Sequence, residues 1–307
     1  MEKLEKKMKR HPRIYTSEAR VAYICLIPAF LGLIFLTYLP LLGVLGISLS
    51  DWTGLSNPKF IGLDNYIKLF TTDPYIKDSI LATLYFSLLA VAGSMIYSLF
   101  IAYLLNRKIP ARGFFRAIFY VPFVLPAVAI YVGWSWLYEA NFGFFNFLLS
   151  EMGLKKILFI ADSSYVVPSL ALIAVWLSGN LIVIFLAGLQ NVPVVYHEAA
   201  QMDGANGWSR FWHITLPNIT PIIFYNMLMS LIANLQVVTP SLVLTNGGPG
   251  NSTRFMTYLM YDQAFVNNRL GYAGATTIII FLIIAAFTAV LFKTSKQWIF
   301  YEGGDEK

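Results

Sequence analysis

A few polar side chains stand inside otherwise apolar stretches: Ser178, Asn180, Tyr225, Asn226, Ser230, Asn234 and Gln236, with the indoles of Trp134, Trp136 and Trp176 in similar surroundings. Amides and hydroxyls can exchange hydrogen bonds with a neutral polar solute, and an indole face can stack on one. The same amides can instead bridge neighbouring helices, because an unpaired Asn in hydrocarbon is costly. Asn234 and Gln236 are two residues apart, so they share a helix face only where the helix is unwound; Pro240 supplies a cause for unwinding. Other chemistries find no support. No G-x-x-x-x-G-K-[ST] phosphate loop occurs, and NGGPG at 246–250 reads as a helix-ending turn. His11, His197, His213 and the lone Cys25 have no metal spacing, and Cys25 reads as a small buried side chain. The scattered Asp and Glu residues form no catalytic cluster by spacing.

The elements that must carry these groups are apolar blocks. The 307 residues are 57% hydrophobic and 12% charged, with a mean hydropathy of +0.63. A soluble domain carries about 25% charged residues, so half that value points to a membrane solvent. Six segments meet the requirement of about 20 apolar helical residues for a bilayer core. They run over 21–48, 80–105, 114–137, 165–189, 220–244 and 271–292, and the first is too long for a signal core. None has a central Asp, Glu, Lys or Arg, which argues against a proton-driven carrier, although carbonyls and hydroxyls can form a sodium site. Of the 22 Lys and Arg residues, fifteen fall in the N-terminal segment, alternate loops and tail on one side, and seven in the opposite loops. The positive-inside rule then puts both termini in the cytoplasm. This placement accounts for the net charge of +6 without nucleic acid. Two outward stretches, NYIKLF and FGFFNFLLSEMG, read either as short interfacial helices or as ordered loops.

One inward loop, over 190–219, has an unusual composition. Glu198, Ala199, Ala200 and Gln201 favour helix, and the alanines let another surface approach. Gly204 and Gly207 break that helix, and Asp203 is placed to cap the turn that follows. Trp208, Phe211 and Trp212 then form one apolar face before Pro217 and Pro221 open the fifth span. Two short helices at a bend form either a docking knob or a simple interfacial anchor.

The run Glu198-Ala199-Ala200, three residues, Gly204, nine residues, Ile214, one residue, Leu216-Pro217 resembles the coupling motif of ABC importer permeases. FIGLDNYIKLF at 60–70, LTNGGPGNST at 244–253 and the tail WIFYE are similar to the sugar and polyol branch, more to the first permease of a heterodimer than to the second. The resemblance implies an all-α polytopic membrane protein with six transmembrane helices, N-in and C-in, in the ABC importer permease fold. It implies a cytoplasmic segment 1–20, a permease domain 21–292 and a tail 293–307. It implies a multi-pass protein of a bacterial or archaeal cytoplasmic membrane, and a coupling set of Glu198, Ala199, Ala200, Asp203, Gly204, Ile214, Leu216 and Pro217. The implied partners are a second homologous permease, ATPase subunits, an extracytoplasmic sugar-binding protein and a carbohydrate. ATP and magnesium would be bound by the ATPase, leaving this chain without a cofactor, and no nucleic acid is involved. The same comparison favours Ser178, beside Trp176, and Asn234 as substrate contacts, with Asn180 and Gln236 as further pathway groups. Pro122 and Pro126 frame a turn where Phe123 is a stacking candidate, and Phe123 and Ala127 stand where the maltose-type subunit has hydroxylated residues. A secondary ion-coupled carrier and a permease for a polyol phosphate are the alternative expectations.

Overall fold

A computed structural model describes residues 12–300 apart from residue 56, with the side chains of 12–19 excepted. Most of the basic N-terminal segment and the end of the tail, 301–307, therefore lie outside the described residues. The first apolar block forms one continuous rod: Pro12–Leu33, a π-helical turn at Ile34–Tyr38, then Leu39–Ser48. Its membrane-competent part, Arg20–Ser48, has 29 residues, about 43 Å at 1.5 Å per residue and ample for a bilayer core. Almost all of its large apolar side chains are exposed. A hydrocarbon solvent suits such a surface and water does not. Cys25 is exposed on this rod rather than buried, because the rod rests against the rest of the protein mainly through Leu39–Ser48, which packs on the last helix, Leu270–Trp298.

The second span, Ile76–Asn106, is the axis of the bundle. Ser79, Thr83, Ser87, Ala90, Ser94, Ser98 and Ala102 are buried along one stripe at helical spacing. Their small size lets the fourth span approach closely, as expected where packing and not water drives helix association.

Three of the spans expected as single helices are broken. The third, expected over 114–137, is two arms, Arg112–Val124 and Ala127–Leu137, that meet at 99°. Pro126 lacks an N–H and pushes Leu125 into an extended conformation (φ −69°, ψ 148°), so the helix cannot pass through. The fourth divides into Val166–Trp176 and Gly179–Asn191 with a 48° bend. The chain passes a neighbour closely at this bend: a Cβ on Gly179 would lie 2.6 Å from the Phe119 carbonyl oxygen of the third span, so the position requires glycine. The fifth is helical only over Thr220–Leu235, unwinds, and resumes as a π-helical turn at Ser241–Thr245. Its sixteen residues span about 24 Å alone, so the unwound segment completes the passage.

The loops gather at two ends. One end holds the strand pair Ser50–Asp51 and Lys59–Phe60, the helices Asp64–Thr71 and Phe144–Glu151, and the 246–254 turn. Both amphipathic stretches are thus helices. At the other end, the N–H of Phe300 donates to Thr220 Oγ1 at 2.9 Å, tying the last helix to the start of span five.

Candidate functional site

The three breaks converge. A cavity of about 440 Å³ is lined by Leu125 and Ala127 at the first break, Leu177 and Ser178 at the second, and Asn234 and Val237 at the third. That volume falls within the roughly 300–1,000 Å³ of small-molecule sites. Broken helices are tolerated at membrane depth where the freed backbone lines a cavity, and this one is bounded by such backbone on three sides.

Of the pathway candidates, Phe123, Ser178, Asn180 and Asn234 line this cavity. Their readiness to bind differs. Ser178 is buried and committed to the fold: its hydroxyl donates to the Val175 carbonyl at 2.7 Å and lies 2.8 Å from Ser98 Oγ on span two. Asn234 donates from Nδ2 to the Ser230 carbonyl at 2.8 Å, leaving its Oδ1 without a donor among the described residues. Asn180 is half-buried and makes no side-chain hydrogen bond among the described residues, so its whole amide is open to a ligand. Phe123 presents a half-exposed ring 5.8 Å from that of Tyr120.

Trp176 and Gln236 do not line the cavity. Trp176 packs edge-on to Trp134 at 5.6 Å. Gln236 caps the helix end at φ −101°, ψ 14° and is exposed; unwinding begins there, too late to bring it onto the face of Asn234. Asn226, buried to 1%, donates to the Leu181 carbonyl at 3.3 Å and so bridges spans four and five. Tyr131 and Ser94 also line the cavity without having stood out in the sequence. Ser94 belongs to the small-residue stripe of span two, and that periodicity was the available signal.

The loop over 190–219 is a bent elbow. Its front helix, Val194–Met202, contains no buried residue, and Val195 and Met202 are 67% and 88% exposed. Gly204 ends it at φ +80°. The Gly204 N–H donates to the Gln201 carbonyl at 3.1 Å and the Ala205 N–H to that of Ala200 at 2.9 Å. This paired closure requires a left-handed residue, the conformation glycine adopts without strain. Asp203 does not cap the next helix: it ends the front helix, and Asn206 caps Gly207–Arg210 through Oδ1, which accepts from the Ser209 N–H at 2.8 Å. Gly207 begins that helix and breaks none. The left-handed turn takes Asp203 out of reach of the amides beyond it. Glu198 and Asp203 are exposed and form no ion pair among the described residues.

The back of the elbow is anchored. Ile214 and Leu216 pack against the cluster formed by Ile101, Leu105, Phe185, Leu189 and Ile219. Pro217 accepts from Thr220 Oγ1 at 2.7 Å, joining the elbow to the first turn of span five. Trp208 stacks on Phe211, Trp212 meets both edge-on, and Phe211 meets Tyr103 of span two edge-on at 5.1 Å. A front helix without a buried residue and a packed back make a lever.

Broken spans around a cavity and an exposed elbow at one end of the bundle define a membrane transport subunit. Residues 94–299 match the family described as the binding-protein-dependent transport system inner membrane component, and the chain belongs to that family. It is 35% identical over 288 residues to the probable ABC transporter permease protein YesP of Bacillus subtilis strain 168, covering 92% of this chain and 93% of that one. It is 33% identical to the multiple sugar-binding transport system permease protein MsmF of Streptococcus mutans, covering 89% and 94%. The fold matches a chain of a bacterial ABC transporter involved in import of the acidic polysaccharide alginate, with a TM-score of 0.79, 22% identity and coverage of 93% and 99%.

Proposed function

We propose that this chain is one of two permease subunits of an ATP-driven carbohydrate importer in a bacterial or archaeal cytoplasmic membrane. The lysine and arginine distribution supports an orientation with both termini and the elbow in the cytoplasm. A separate ATPase supplies the energy, and an extracytoplasmic binding protein delivers the solute. The sugar names of relatives such as MsmF, together with an uncharged cavity that carries two amides and three aromatic rings among apolar side chains, support a carbohydrate. The observation that carries the reading is the elbow, with no residue of its front helix buried and its back fixed to span five. Movement imposed on the front is transmitted through Leu216–Pro217 to the helix that carries Asn234, and so to the cavity wall.

The test is a cross-link. With Cys25→Ser as background, Ala199→Cys is expected to cross-link to an ATPase subunit in the assembled complex, in an amount that varies with bound nucleotide. Labelling of that cysteine only from outside the cell would reverse the orientation. Labelling from inside, with no ATPase captured, would remove the coupling role.

A further inference from the structure

We propose that the groove between the end of span two and the second elbow helix binds a phospholipid with an anionic headgroup, its acyl chain in the groove and its phosphate at Arg107. The inference rests on the proposed orientation but on no assignment of substrate. The groove encloses about 510 Å³. One wall is a stripe of span two, Ile96, Leu99, Phe100 and Leu104, and the facing wall is Trp208 and Phe211. Ile96 and Trp208 are each 72% exposed, so nothing among the described residues covers the groove.

Its mouth is basic. The Arg107 guanidinium sits 5.2 Å over the Tyr103 ring and donates from Nη2 to the Tyr103 hydroxyl at 3.4 Å. Lys108 beside it is exposed. Further on, in the first turns of the Arg112–Val124 helix, Arg112 and Arg116 are engaged elsewhere, their Nη2 atoms 2.8 Å from the Gln190 oxygen in its better amide orientation. No Asp or Glu occurs anywhere between Asp78 and Glu139. The one ion pair among the described residues, Arg254 with Asp262 at 3.1 Å, is at the other end of the bundle.

Arg107 and Lys108 thus have no carboxylate partner among the described residues, and Arg107 lines an open apolar groove. A free inorganic anion would answer the charge and leave the groove bare. A neutral lipid would fill the groove and leave the charge uncompensated. An anionic phospholipid does both, where a basic juxtamembrane segment and an interfacial indole are expected to meet the headgroups. Seated there, it wedges span two against the elbow at the Tyr103–Phe211 contact and stiffens the lever.

The experiment uses the complete transporter in nanodiscs of phosphatidylcholine, doped with either phosphatidylglycerol or phosphatidylcholine brominated on its acyl chains. The Trp208 contribution to fluorescence is taken as the difference from Trp208→Phe. Brominated phosphatidylglycerol is expected to quench it at a concentration about fivefold lower than brominated phosphatidylcholine, and Arg107→Gln with Lys108→Gln should remove that preference. Both positions are exposed, and the thermal transition of each variant checks folding independently. Equal quenching by the two lipids would overturn the headgroup site. So would quenching by neither, with a photoreactive group at position 208 capturing a protein neighbour. Uptake that proved independent of ATP would defeat the proposed function and leave this preference standing.

Discussion

Gly204→Val is expected to cut coupled uptake about tenfold or more while the subunit still inserts and assembles. The residue sits at φ +80°, and a Cβ there would meet no atom within 4 Å. The penalty is therefore conformational: about 1–2 kcal/mol for a left-handed L-residue, and more for a branched one. Relieving it breaks the two closing hydrogen bonds from Gly204 and Ala205, and the front helix loses its fixed angle to the back. Because the front helix has no buried residue, little of the core depends on that turn. Gly204→Asn is the matched control, since asparagine tolerates the left-handed region, and it should retain most activity. Uptake and ATP hydrolysis measured together in proteoliposomes decide the matter; a valine variant that transports at the parental rate would show the bend to be irrelevant.

Asn180→Leu should raise the apparent KM for uptake roughly 5- to 150-fold, the range for about 1–3 kcal/mol when a ligand group loses its hydrogen-bond partner. Its thermal transition should stay near that of the parent, because the amide supports no other residue. Asn234→Leu should weaken uptake with a modest loss of stability, since Nδ2 also holds the Ser230 carbonyl. Asn226→Leu should show the reverse pattern, with lower stability from losing its bond to Leu181. Should all three variants lose stability and uptake in parallel, the amides serve as braces between helices and the cavity does not select the solute.

What could be read before folding depended on the range of the interactions. Six apolar blocks are a matter of composition, and the spacing from Glu198 to Pro217 is local, so both were legible. The break at Leu125 was marked by Pro126, the next residue, which lacks an N–H and disfavours helix in the residue before it. The close approach at Gly179 was not, because the backbone it meets, that of Phe119, arrives from another span. Asp203 and Asn206 are both good caps by type; the left-handed turn at Gly204 decides between them. Gln236 and Trp176 had suitable chemistry in a suitable neighbourhood, yet neither lines the cavity. Tyr131 does, with only the apolar face of a short helix to announce it.

The lever itself is tested most directly by thiol reactivity on its free surface. In a Cys25→Ser background, Val195→Cys and Met202→Cys should react quickly with a soluble maleimide in the permease pair alone, as their 67% and 88% exposure implies. Adding the ATPase subunits should slow both sites sharply, and by different amounts with and without ATP. Reaction rates that stay the same through every nucleotide state would mean that no motor grips this helix.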